Sequence, residues 1–252
     1  MGKLTDFPIL KSSPIVEATF QVNFAVKQAL TSALACSFVQ EQLPGFKYRE
    51  DIFAESISVK RKNAKALPGG ITHNQIWTGV RFIRENHVIT IFPNGFAYGI
   101  LKPYPADESF FKNISEIAET IGAQFSGMAT TRVGLRFINR FEITADRTPA
   151  KVLTKIPISP KNTGYGDSAS FLYQDLFVNK ETGIGVVVNR VFPANDPATP
   201  YEQKVILDID ASLVPNRVLK SADFEKIVDE LRFAVNKTFF GSVQKDVIKE
   251  LS

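Results

Sequence analysis

Two aspartates and a row of arginines hold most of the chemistry this sequence offers. In LDID, Asp208 and Asp210 stand two residues apart, so on a strand they share one face while Leu207, Ile209 and Ala211 take the other. Two carboxylates so placed can hold a divalent cation, which prefers oxygen ligands. They can equally face water, or pair with cations on a neighbouring strand. The stretch TRVGLRFINRF, 131 to 141, supplies such cations. Its alternation sends Arg132, Arg136 and Arg140 one way and Val133, Leu135, Phe137 and Phe141 the other, with Asn139 as the polar exception on the inner side. If the two strands are neighbours, the aspartates and arginines form a cross-strand charge ladder. If not, the arginines line a sheet face and meet an acidic partner, either protein carboxylates or a nucleic acid backbone. Arg190 in VVVNRVF is a further candidate, because Asn189-Arg190 repeats Asn139-Arg140.

Other chemistries find few residues. The chain has two histidines, His73 and His87, and one cysteine, so zinc ligands at familiar spacings are missing. Both imidazoles fall in expected loops or turns, where idle histidines are common. Cys36 lies between Leu34 and Phe38 in an apolar helical pattern and reads as a core residue. There is no Gly-x-Ser-x-Gly, and LPGGITHN lacks the Lys-Ser/Thr sequel of a phosphate loop. TGYGDS, 163 to 168, reads as a plain turn. The expectation is no catalytic residue, no cofactor and no metal, with Asp208 and Asp210 as the weak metal alternative. Aromatic groups (Phe96, Tyr98 and Tyr104; Tyr165, Phe171, Tyr173 and Phe177) can form stacking platforms for single-stranded nucleic acid. With 21 phenylalanines in the chain, they read first as core or interface.

Bulk properties fit that picture. Thirty Lys+Arg against 26 Asp+Glu give a net charge of +4, too mild an excess to signal nucleic acid by itself. The 44% hydrophobic content suffices for a sizeable core. No secretory pattern opens the sequence, no window approaches a membrane span, and a lone cysteine precludes an internal disulfide. A soluble cytoplasmic protein without membrane contact is expected.

The elements that must position these residues follow from hydrophobic period. IVEATFQVNF, 15 to 24, alternates as a strand. Residues 26 to 43 turn helical, with Leu30, Leu34 and Phe38 as the stripe, and Pro44-Gly45 ends the run. Strands are expected at 57 to 60, 75 to 84, 87 to 92 and 95 to 101, with a basic Pro-Gly loop, KNAKALPGG, before the second. A helix over 107 to 125, capped by Asp107, buries Phe110, Ile114, Ile117 and Ile121. The second half repeats the order: a strand at 131 to 143, a weak helix around 149 to 155, strands at 170 to 179, 184 to 192 and 203 to 213, and a long helix striped by Phe224, Ile227, Val228, Leu231, Val235 and Phe239. The spacing predicts an α+β fold, β-α-β4-α then β-(α)-β3-α. Two similar units, 1–128 and 129–252, would carry curved antiparallel sheet with helices on one side and pack as one globule.

SSPIVEATFQVNF, KPYPADESFFKNI, TRVGLRFINRF and ILDIDASL together resemble a sporadically distributed, functionally uncharacterised prokaryotic family of about 250 residues. That family's wording is close to P-P-I-V-E-A, Y-P-x-W, R-x-G-L-R-F/Y-I-N-R and L-D-I-D. The resemblance covers nearly the whole chain. Departures are Ser13 before Pro14, Phe110 or Ser109 near the tryptophan position, and Phe137 for tyrosine. It implies a coherent unit whose pattern is sharpest at Arg132, Gly134, Arg136, Asn139, Arg140, Asp208 and Asp210, and it supplies no reaction or substrate. Patchy distribution is typical of accessory genes such as defence and toxin–antidote modules, a warrant by association. The functional expectation is therefore a non-catalytic protein-binding or regulatory accessory module. Arg132, Arg136, Arg140 and Arg190 would meet a protein partner or a second copy. The alternatives are a nucleic-acid binder with an arginine-lined sheet face, or a metal-dependent enzyme built on Asp208 and Asp210.

Overall fold

The computed structural model describes residues 4–26, 29–62, 65–105, 108–144, 146–156, 170–193 and 203–252. These form an α+β fold with a nine-stranded antiparallel sheet and helices on one face. The strands are β1 (Ile15–Phe24), β2 (Lys47–Lys62), β3 (Lys65–Arg84), β4 (His87–Phe92), β5 (Gly95–Leu101), β6 (Thr130–Glu142), β7 (Phe171–Val178), β8 (Gly185–Phe192) and β9 (Lys204–Leu213). The helices are α1 (Ser32–Gln42), α2 (Ser109–Gly122), α3 (Pro149–Val152), α4 (Ser221–Ser242) and α5 (Lys245–Leu251). The strand order is β2-β3-β4-β5-β1-β6-β9-β8-β7.

The first strand of each half of the chain lies at the centre. β1 pairs with β5 on one side and with β6 on the other, and β6 then pairs with β9. From each of these two strands the chain crosses to the far strand of its side, β2 or β7, and then meanders inward, through β3, β4 and β5 or through β8 and β9, back to the seam; β2 and β7 are the edges among the described residues. Alternation decides what the sheet buries. Ala18, Phe20 and Val22 of β1 and Val133 and Leu135 of β6 have no exposed surface. They join Phe110, Ile114 and Ile121 of α2 and Leu231 and Val235 of α4 in one core cluster. Each large side chain so buried contributes roughly 1.5–3 kcal/mol of transfer free energy. From Glu17 to Asn23 the odd-numbered β1 residues, and from Arg132 on the even-numbered β6 residues, point to the opposite face, which carries no helix among the described residues; β-bulges at both ends of the pair turn Ile15 and Thr130 to the helix side.

Some elements differ from the sequence expectation. α1 begins at Ser32, not 26, because Thr31 caps it by accepting from the Leu34 backbone N–H at 3.4 Å. That start turns Ala35 and Val39 inward and leaves Leu34 59% exposed, contrary to the expected Leu30/Leu34/Phe38 stripe. Ser32 Oγ and Trp77 Nε1 both donate to Asp51 Oδ1, at 2.6 and 2.9 Å, tying α1 to the β2–β3 hairpin. The Ser32 bond first, then those from Trp77 and Tyr48, hold the Asp51 carboxyl below its usual range. Most of the expected basic loop is strand: Lys62 ends β2, β3 begins at Lys65 and contains LPGG, and residues 63 and 64 lie outside the described ones. Asp107, the expected cap of α2, lies outside the described residues, as do Tyr165 and TGYGDS. The C-terminal helical stretch divides into α4 and α5 at Val243.

Candidate functional site on the open sheet face

β6 and β9 are neighbours, with Arg136 directly opposite Asp210 and Ile138 opposite Asp208. The salt bridges nevertheless run diagonally. Arg136 Nε and Nη2 donate to Asp208 Oδ1 and Oδ2 at 2.7 and 2.9 Å, a two-pronged pair. Arg132 Nη2 donates to both oxygens of Asp210 at 2.8 Å. Asp210 stands opposite Arg136, four positions along β6 from Arg132, so Arg132 must lie along its own strand to reach it. Gly134 is what lets it do so. A Cβ on Gly134 would stand 2.6 Å from Cζ and Nη2 of Arg132, inside any permitted contact. The RVGLR spacing thus has a steric meaning: a glycine, pointing the same way as the arginines, leaves the lane that the first guanidinium occupies.

The row continues outward. Asn189 of β8 stands opposite Asp208 and donates to its Oδ2 at 3.0 Å, and Gln174 of β7 donates to Asn189 Oδ1 at 2.7 Å. One polar line therefore crosses β7, β8, β9 and β6. Gln174 did not stand out in the sequence, and Asn189 did so only as the neighbour that made Arg190 a candidate. The available signal was that Asn189 is the one uncharged polar residue in VVVNRVF.

Electrostatics follow from this wiring. The Asp208 hydrogen bond, ahead of the charges of Asp208, Glu17 and Asp210, raises the pKa of Arg136 and fixes its charge. Burial pushes the Asp210 carboxyl above its ordinary value, against the pull of Arg132 and Arg136 and with repulsion from Asp208 adding to the rise. Arg140 is exposed and makes no ion pair among the described residues. Beside the row, over β1, β5, β4 and β3, lies a hollow of about 360 Å³ whose wall includes Glu17, Gln21 and Arg81 and whose floor includes Ala97 and Gly99.

Arg132, Arg136, Arg140, Asp208 and Asp210 are thus on one face. Arg190 is not among them. Asn189 faces the open side, so Arg190 next to it faces the helices, where it is 2% exposed. Its Nη1 donates to Asp175 Oδ2 at 2.8 Å, Nη2 reaches Ser242 Oγ at 3.4 Å, and the guanidinium lies over the Tyr173 ring. A residue so enclosed cannot extend a partner-facing stripe. The aspartates do not converge on a common point either: Asp208 gives both oxygens to Arg136 and one to Asn189, and Asp210 gives both to Arg132. Among the described residues no three of His, Cys, Asp and Glu gather as metal ligands. His87 is not idle: its Nδ1 lies 2.6 Å from the Tyr98 hydroxyl, which also accepts from Asn113. Burial first, then the Arg84 charge, lowers its pKa, with Glu85 opposing. The side chain of His73 lies outside the described ones.

A run of exposed apolar side chains lies at the end of the polar line. β7, an edge strand with sequence FLYQDLFV, leaves Leu172 72%, Leu176 68% and Val178 61% exposed on the open face, with Tyr173 and Phe177 half-exposed on the other. Among the described residues no helix is long and apolar enough to cross a membrane. The chain matches no model of a known protein family and no curated protein.

Proposed function

We propose that this chain is a non-catalytic protein-binding module, of the regulatory accessory kind, whose partner adds an extended segment along β7. One observation carries the reading: an eight-residue strand, at the edge of the sheet among the described residues, exposes Leu172, Leu176 and Val178 on one face and half-exposes Tyr173 and Phe177 on the other. An edge strand offers a free row of N–H and C=O groups, and proteins ordinarily blunt such edges with charge, proline or cover. β7 has one charged residue, Asp175, whose carboxylate is engaged by Arg190, and no proline. Strand addition draws affinity from main-chain bonds and specificity from alternate side chains, which suits a strand with Leu172, Gln174 and Leu176 on one side and Tyr173 and Phe177 on the other.

The arginine row then serves the scaffold. Arg132 and Arg136 are spent on Asp210 and Asp208, and Gln174 at the docking strand is joined to them through Asn189. This division weakens the nucleic-acid reading, which needs unpaired cations along the face, and the metal-enzyme reading, which needs carboxylate oxygens free to coordinate.

The test places a photo-activatable cross-linking side chain at Gln174 in the full chain, in cells that express it. A defined protein adduct is expected. The Leu172→Lys/Leu176→Lys variant, charged at two solvent-facing positions, should lose at least nine-tenths of that adduct while its circular dichroism is unchanged. An adduct between two copies makes the partner a second chain. Equal adducts from variant and parent, or none from either, refute the reading.

A further inference from the structure

The β2–β3 hairpin outruns the sheet that carries it. β4 pairs with β3 only from Val80 to Arg84, whereas β2 and β3 stay paired from Lys47 opposite Ile83 out to Lys62 opposite Lys65. Past that stretch each of the two strands has only the other as a ladder partner among the described residues. Where the ribbon leaves the body, Phe53, Ala54, Glu55 and Ser56 on one strand and Asn74, Gln75 and Ile76 on the other are all exposed, so both of its faces meet solvent. Ile57 to Lys62 of β2 carry it about 20 Å further, at a rise of about 3.3 Å per residue.

Charge is distributed unevenly along this arm. Its base is mixed: Arg81 donates to Glu50 at 2.6 Å, Gln75 donates to Glu55 at 3.1 Å, and Asp51 accepts from Trp77. From Ser56 to Arg84 the sequence has no Asp or Glu, while Lys60, Arg61, Lys62 and Lys65 all fall at the far end. The register sets Arg61 opposite Ala66 and Lys62 opposite Lys65, which places the four positions in the last rungs of the ladder. Like charges directly opposite on paired strands are destabilising, and the outer arm supplies no anion of its own to offset them. The same four residues equal the whole net charge: with them set aside, 30 Lys+Arg become 26, against 26 Asp+Glu.

We infer that the arm is a contact for double-stranded DNA, lying in the major groove with its basic end on the phosphates. A two-stranded ribbon fits that groove, which is about 12 Å wide. An RNA duplex presents a major groove too deep and narrow to be entered in this way. Single strands are held by aromatic stacking beside positive charge, and membrane-surface segments by Trp, Phe and Leu. Residues 56 to 75 contain no Phe, Tyr or Trp. Contacts to phosphate carry no sequence information, so the binding is independent of sequence. The arginine row of the open face takes no part, because Arg132 and Arg136 are matched by Asp210 and Asp208. The arm stands at the opposite end of the strand order from β7, and neither proposal depends on the other.

Fluorescence anisotropy of a labelled DNA duplex of about 20 base pairs, titrated with the full chain, tests the inference. The slope of log K on log salt should be about −3 to −4, from four phosphates at about 0.9 each. The Lys60→Gln/Arg61→Gln/Lys62→Gln/Lys65→Gln variant should lose at least tenfold in affinity and flatten that slope towards zero. The Lys112→Gln/Lys180→Gln/Lys226→Gln/Lys245→Gln variant removes as much charge from exposed positions on the body and should keep the parent slope. A shortened chain, in which an Asn-Gly turn joins Ser58 to Thr72 opposite it, removes the outer arm and should behave as the first variant does. As competitors for the labelled duplex, single-stranded DNA of the same length, an RNA duplex, phosphatidylserine vesicles and poly-glutamate should each be at least fivefold weaker than unlabelled DNA duplex. No binding of the duplex, equal losses in the arm and body variants, or a competitor as effective as the DNA duplex would each overturn the inference.

Discussion

Gly134 illustrates how one missing methyl group organises a charge pair. The Arg132–Asp210 bridge is part-exposed, with side chains near 30% accessible, so its net worth is at the upper end of the surface range, about 1 kcal/mol. Gly134→Ala would close the lane along which Arg132 lies, while the added methyl itself favours a strand interior by about 0.5–1 kcal/mol. The two effects nearly cancel, so the single variant should change stability little. Coupling reveals what the net value hides: in a double-mutant cycle, Arg132→Ala should cost about 1 kcal/mol in the parent and almost nothing in the Gly134→Ala background. Equal costs in both backgrounds would mean that the glycine does not position the arginine. At this scale the sequence was readable on β6, where arginine alternates with large apolar residues. It was not readable on β8, where valines occupy both faces of VVVNRVF and parity has no marker. The likeness of Asn189-Arg190 to Asn139-Arg140 misled for that reason. Asn139 faces the helices and Asn189 the open side, and only the register of β8 on β9 decides it.

At the scale of elements, α4 is the main cover of the second half, and its first turn has an acid-sensitive tie. Asp223 accepts from the Lys220 backbone N–H at 2.9 Å and from Arg217 at 3.0 and 3.1 Å. The Arg217 bonds first, then the Lys220 amide, lower its pKa to about 2. A carboxylate in the unfolded chain titrates near 3.9, as a rough reference. The folded value is the lower one, so the stabilisation is complete above about pH 4 and disappears as pH falls through about 2. Amide exchange in the first turn of α4 should therefore accelerate relative to the rest of the helix between about pH 4 and 2. Asp223→Asn should remove that acid-dependent step and fray the turn at all pH values. A first turn whose protection, relative to the helix centre, is flat with pH would contradict this account. The long apolar stripe of α4 was legible because it spans several turns, and the α2 stripe for the same reason. α1 was misplaced because its apolar residues are few and its start depends on a single threonine cap. The β2–β3 hairpin was missed because proline and adjacent glycines, ordinarily loop signals, lie inside a strand.

For the whole molecule, the sequence suggested two units, 1–128 and 129–252, packed as one globule, and the sheet runs across that division from β1 to β6. β1 lies between β5 and β6, so the central strand of the first half takes one of its two ladders from the second half. Arg232 of α4 grips Glu108 at the start of α2, joining the covering layer across the same line. Side chains from both halves meet in one buried cluster, and separating them would strip Phe20, Val22, Val133 and Leu135 of neighbours on one side. A single cooperative transition is expected, and the one tryptophan offers a probe of it. Trp77 lies on β3, anchored to Asp51, in the first half of the chain. Leu135 lies on β6 in the second half and is fully enclosed, so Leu135→Ala should cost about 2–5 kcal/mol. If folding is shared, the urea midpoint read from Trp77 fluorescence should fall by the same amount as the midpoint read from far-ultraviolet dichroism. Coincidence of local and global signals after a distant mutation is the mark of all-or-none unfolding. A Trp77 midpoint that stays in place while the dichroism splits into two steps would show instead that the halves fold as separate units that happen to share a sheet.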